Sequence, residues 1–146
     1  MNTEQQKETN RIIVCGVLGI ITMVYLALIG GVNVQHFNYK MNSDIGAEAV
    51  LARLIWDSGE MVPSTWISST ETRIIATPQV AALFYGWTGD MNLGLGLACC
   101  VMATGILLAI WCFMKKAGFR TESCLLMCVL SLALSGNMTI LELLYL

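Results

Sequence analysis

Three uncharged or nearly uncharged stretches, separated by one long polar segment, organise the chain. Ile12–Val34 carries no charged side chain and neither does Leu93–Met114. A third apolar stretch runs from Ser123 to Leu146 with Glu142 as its one carboxylate. A helix needs about 20 apolar residues to cross a hydrocarbon core about 30 Å thick, so each stretch predicts a spanning helix. Ile12–Val34 is longer than the apolar part of a secretory signal peptide. Its end, Gly30-Gly31-Val32-Asn33, is a poor match to a small-x-small cleavage site, so it reads as a retained anchor. Trp111 lies near the end of the second stretch and Lys115 and Lys116 follow it. An aromatic ring at headgroup depth with cations beyond is the usual border of a span, and Trp87 is the candidate for the opposite border.

The segment 35–92 has a pattern of its own. Ala47, Val50, Leu51, Leu54 and Ile55 recur at helical spacing, and Asn42, Ser43 and Asp44 precede them as start signals. An amphipathic helix is therefore expected from Asp44 to Asp57, on the membrane surface or against the bundle. Gly59, Pro63 and Ser64 break the pattern. Ser68 with Glu71 has capping-box spacing, and Thr77-Pro78 is a second start, with proline at the first helical position. Pro78–Gly86 is apolar but too short to span, which suits an interfacial or re-entrant helix.

Composition agrees with this pattern. Of 146 residues, 56% are hydrophobic and 12% charged, about half the charged share of an ordinary soluble domain. The fold class is an all-α membrane protein with three transmembrane helices and a long external loop carrying short amphipathic or interfacial helices. Charge then gives direction. Lys7 and Arg11 flank the first span, and Lys115, Lys116 and Arg120 fill the connection between the second and third. Two crossings separate these groups, so they share a side, which the positive-inside rule makes cytoplasmic. The expected order is a cytoplasmic tail 1–11, a span 12–34, an external loop 35–92, a span 93–114, a cytoplasmic loop 115–122 and a span 123–146 in the cell membrane. The net charge is −2 and no basic stripe exists, so a nucleic-acid partner is not indicated.

Most side chains with chemical potential have plain readings. The cysteines Cys15, Cys99, Cys100, Cys112, Cys124 and Cys128 all fall in the apolar stretches and read as small packing residues. His36 is the only histidine and is isolated. Asn137-Met138-Thr139 matches a glycosylation sequon by letters but lies inside an expected span. Gly94 and Ala98 form a small-x-x-x-small pair suited to close helix approach. Glu142 reads either as an interface residue or as a mark of a helix that faces further helices.

The loop sequence carries one resemblance. It reads Asn42-Ser43-Asp44-Ile45-Gly46-Ala47-Glu48, then Leu51-Ala52-Arg53, Pro63-Ser64-Thr65-Trp66 and Ser68-Ser69-Thr70-Glu71-Thr72-Arg73. An acidic residue just outside the first span, an external helix and these two motifs together resemble the amino-terminal part of bacterial multi-span proteins similar to GT-C glycosyltransferases. Ile45 stands where that family often pairs a second acid. The resemblance implies transfer of a sugar from a lipid-phosphate donor, such as a polyprenyl-phosphate sugar, at the outer face. The stretch ending in Leu146 is then expected to be followed by further spans. Asp44 matches the essential acid, as base or as ligand of a divalent metal, and Glu48, one turn later, would assist. Trp66 would stack on a sugar, and Glu71 and Arg73 would contact phosphate or acceptor. Each has a structural alternative: a helix cap for Asp44, interface anchoring for Trp66, and a capping box with a solvated or ion-paired arginine for Glu71 and Arg73. The alternative function is a small non-catalytic assembly or accessory subunit, its contacts made by Gly94/Ala98 or Glu142.

Overall fold

The computed structural model describes residues 3–36, 43–67 and 76–133. Five helices form among them: α1 (Thr3–His36), α2 (Ser43–Ser58), α3 (Thr77–Thr88), α4 (Met91–Lys116) and α5 (Thr121–Ala133). Glu4–Gln35 and Met91–Lys116 are long and apolar enough to cross a membrane. α1 begins well before its apolar run because Glu4, Gln5, Gln6 and Lys7 are good helix formers. Thr9 Oγ1 also donates to the Gln5 carbonyl at 2.9 Å within this first part. α5 is apolar, and the remainder of the expected third span, with Asn137 and Glu142, lies outside the described residues.

The chain groups into two compact units. The first contains α1 up to Leu28, α4 from Ala103, and α5. Cys124, Cys128 and Leu132 recur at four-residue intervals and form the buried face of α5, while Ala103 and Leu107 are buried on α4. The Cys128 thiol lies 3.9 Å from the Leu107 carbonyl. None of the six cysteines forms a disulfide among the described residues, and Cys99, Cys124 and Cys128 are buried. Just outside the apolar runs, the Arg11 guanidinium pairs with Glu122. The hydrogen bond from Arg11, more than its charge, holds the Glu122 carboxyl below the usual range.

The second unit contains the end of α1 from Ile29, then α2, α3 and α4 up to Met102. α2 packs against α3. The face of α2 that is buried is Ile45, Ala52 and Ile55. Of the stripe expected from the sequence, Ile55 is buried, Leu51 and Leu54 are half-buried, and Ala47 and Val50 are exposed. α2 is apolar on more than one side, and the side with small Ala52 permits the closer approach. α3 buries Thr77, Pro78, Gln79, Ala81 and Ala82. It starts one residue earlier than Thr77-Pro78 suggested, with Ala76 as the cap residue. The Gln79 side chain accepts from the Ala76 N–H at 2.9 Å, satisfying one of the donors that the helix start leaves without an intrahelical partner.

Gly94 and Ala98 are buried inside this unit. A Cβ on Gly94 would lie 3.1 Å from the Tyr85 nitrogen and 3.2 Å from the Ala81 oxygen. Gly94 thus serves a close helix approach within the chain, against the backbone of α3.

The step from α3 to α4 is built by two residues. Gly89 adopts a left-handed φ of 71° and its N–H donates to the Tyr85 carbonyl, closing α3. Asp90 then caps α4, its Oδ1 accepting from the N–H groups of Asn92 at 2.9 Å and Leu93 at 3.3 Å. Asp90→Ala is expected to destabilise the fold by about 1 kcal/mol. It should also speed amide exchange at Asn92 and Leu93 in detergent-solubilised protein. Unchanged exchange at both amides would show that Asp90 does not hold this helix end.

Candidate functional site

The candidate site begins at the first turn of α2. Ser43 opens the helix and Asp44 lies in its first turn, exposed. Asp44 is therefore inside the helix rather than at the position before it, which revises its reading as the cap. Its charge favours the positive end of the helix dipole. The Ser43 hydroxyl is 3.5 Å from Asp44 Oδ1. Glu48 follows one turn later on the same flank and is half-buried. The helical period thus brings the two predicted carboxylates together.

Trp66 belongs to the turn beyond the other end of α2, which runs about 24 Å between its ends. A relay of short-range hydrogen bonds builds this region. The Ser58 hydroxyl donates to the Leu54 carbonyl at 2.7 Å and accepts from the Glu60 N–H at 3.2 Å. The Glu60 carboxylate accepts from the Ser64 N–H at 3.1 Å, and the Trp66 N–H donates to the Pro63 carbonyl at 2.9 Å. Pro63 is fully buried and Trp66 half-buried. Glu71 and Arg73 lie outside the described residues.

One group of side chains was not foreseen. Arg53 is 3.6 Å from Asp57 in an i, i+4 pair, and its guanidinium carbon stands 6.0 Å from the centroid of the Tyr85 ring. That distance is at the outer reach of a cation–π contact. Trp56 lies over Gly86, where an added Cβ would come within 2.2 Å of the indole. The Arg53–Asp57 spacing is readable from sequence, but the approach of Tyr85 and Gly86 depends on how α3 folds back.

Among the described residues, no group of three or more His, Cys, Asp or Glu side chains is placed to hold a metal ion. A divalent ion bridging to a substrate phosphate uses one or two protein carboxylates, a number that Asp44 and Glu48 can supply. Compared with protein-family models, curated proteins and solved structures, the chain has no match.

Proposed function

We propose that this chain is a multi-pass cell-membrane protein with the chemistry of a GT-C-like glycosyltransferase, moving a sugar from a lipid-phosphate donor at the outer membrane face. The observation that carries the reading is the start of α2. It presents an exposed carboxylate, Asp44, with Glu48 beside it, in a segment between two membrane-length helices. In the reaction, Asp44 takes the proton of an acceptor hydroxyl. The acceptor oxygen bonds to the sugar's anomeric carbon, and the bond from that carbon to the phosphate oxygen breaks, releasing the lipid phosphate. When bound, a divalent ion would neutralise charge on that phosphate. Trp66, Glu71 and Arg73 are proposed as donor or acceptor contacts. The apolar stretch Ser123–Leu146 is proposed as a third crossing, with the amino terminus cytoplasmic and 35–92 outside.

The test follows label from a radiolabelled polyprenyl-phosphate sugar into lipid-linked or protein acceptors, using membranes that carry the full-length gene product. Transfer that depends on Asp44 supports the reading. Absent transfer, or transfer indifferent to Asp44, removes it. Orientation has its own measurement. Ser64 is exposed, so Ser64→Cys should add a thiol that reacts with a membrane-impermeant maleimide on intact cells. Added labelling only after lysis would invert the topology.

A non-catalytic subunit is the second reading, favoured by one feature of the first unit. α1 carries an open apolar groove lined by Cys15, Gly16, Gly19, Ile20 and Met23 among others, and small residues of this kind admit a neighbouring transmembrane helix. That reading expects Asp44 to be dispensable.

A further inference from the structure

α3 is apolar on both of its sides. Pro78, Ala81 and Ala82 are buried within the second unit. The opposite side carries Val80, Leu83, Phe84 and Trp87, the i, i+3, i+4, i+7 spacing of a single stripe. Val80 and Phe84 are half-buried, whereas Leu83 is 69% exposed and Trp87 85% exposed. A helix that is apolar all round belongs in apolar surroundings.

The packing of α3 on α4 fixes its depth. Its backbone touches α4 at Gly94, through Ala81 and Tyr85. Gly94 is the second residue of the uncharged run Leu93–Met114. That run is about 33 Å long as a helix, close to the about 30 Å of a hydrocarbon core. A run with so little slack places Gly94 at the edge of the core, and α3 with it. α3 has 12 residues, about 18 Å, too short to cross. The turn that follows, Gly89-Asp90, leads directly into α4.

We infer that α3 is an interfacial helix whose Val80–Leu83–Phe84–Trp87 stripe inserts into lipid at the boundary of headgroups and acyl chains, at the amino-terminal end of α4. The inference deepens the membrane reading above and rests on it. It selects the interfacial placement over a re-entrant one, because the contact at Gly94 holds α3 at the edge of the core. It also names the side that meets lipid. Trp87 is the natural anchor, since an indole prefers this depth.

Brominated lipids test this directly. The full chain is reconstituted into phosphatidylcholine vesicles with acyl chains brominated near the carbonyl end or near the middle. One variant retains only Trp87 (Trp56→Phe, Trp66→Phe, Trp111→Phe), and a second retains only Trp111. Trp87 should emit at blue-shifted wavelength and be quenched more by shallow than by deep bromines. Unquenched, red-shifted Trp87 emission would place the stripe in water and overturn the inference. Blue-shifted but unquenched emission would mean that protein, such as a second copy of the chain, covers the stripe, and would overturn it equally. Trp111 separates the two levels of the argument. If Trp111 is quenched and Trp87 is not, only this inference fails, whereas if neither is quenched the membrane reading fails as well. Should the triple variants lose helical circular dichroism, Trp87→Phe alone suffices. Trp87 is exposed, so the difference between native and Trp87→Phe quenching reports that one ring. A difference of zero overturns the inference.

Discussion

Asp44→Asn is expected to lower sugar transfer by about 10²- to 10⁴-fold, the range associated with loss of a general acid–base group. Each tenfold loss raises the barrier by about 1.4 kcal/mol, so the change amounts to about 3–6 kcal/mol. Asparagine keeps the shape and one acceptor oxygen but cannot take a proton. The loss should therefore fall on kcat and leave KM nearly constant. Stability should hardly move. Asp44 is exposed in the first turn of α2, where a carboxylate is worth about 0.3–1 kcal/mol through the helix dipole. The two magnitudes separate chemistry from folding: a melting temperature close to native with transfer nearly abolished assigns Asp44 to the reaction. Glu48 is half-buried and one turn further on, so Glu48→Gln should cost less activity. If Asp44 binds a divalent ion instead of acting as base, Asp44→Asn should raise the magnesium or manganese concentration needed for half-maximal rate. Native-like transfer by Asp44→Asn would leave this side chain only its role at the helix start.

The carboxylate pair was legible in the sequence because it needs only the helical period. Asn42-Ser43-Asp44 gave the start of α2 and Gly59 its end, and the helix spans Ser43–Ser58. Its inward face was not legible. Periodicity favours the side with the larger aliphatic residues, Val50, Leu51 and Leu54, whereas the residues buried in the fold are Ile45, Ala52 and Ile55. A small residue permits approach, and a count of hydrophobic positions gives it little weight. Asp90 falls by sequence in the polar segment 35–92, yet it lies immediately before α4 and accepts two of its first N–H groups. The cap could have been found by applying the start rule to the spanning helix as well as to the loop. Arg53 beside Tyr85 could not, because these residues meet only through the packing of α3 against α2. The same holds for Asn33. It lies near the end of an uncharged run, and it is 2% exposed and packed where two helices cross.

That crossing gives the second large effect. Gly96→Ala is expected to destabilise the chain by about 1–3 kcal/mol, the usual cost of overpacking, and Gly96→Leu by more. A Cβ at Gly96 would lie 2.5 Å from the Asn33 carbonyl oxygen and 3.0 Å from its carbon. Both atoms are backbone of α1, so no rotamer change relieves the clash. The two helices must separate, and with them the contacts around buried Asn33, Leu95 and Cys99. Gly86 offers the informative contrast. Its Cβ would come still closer to a neighbour, 2.2 Å from Trp56, but that neighbour is the end of a side chain 49% exposed. The indole can turn outward, so Gly86→Ala should cost less than Gly96→Ala despite the shorter distance. Gly105 completes the series. Nothing lies within 4 Å of its Cβ position, and alanine is better than glycine in a helix interior by about 0.5–1 kcal/mol, so Gly105→Ala should stabilise. Equilibrium unfolding by sodium dodecyl sulfate in mixed micelles, followed by circular dichroism, ranks the three. The order Gly105→Ala, Gly86→Ala, Gly96→Ala, from most to least stable, follows from what each Cβ meets and not from how near it comes. A Gly96→Ala protein as stable as Gly105→Ala would mean that α1 and α4 do not cross at Asn33.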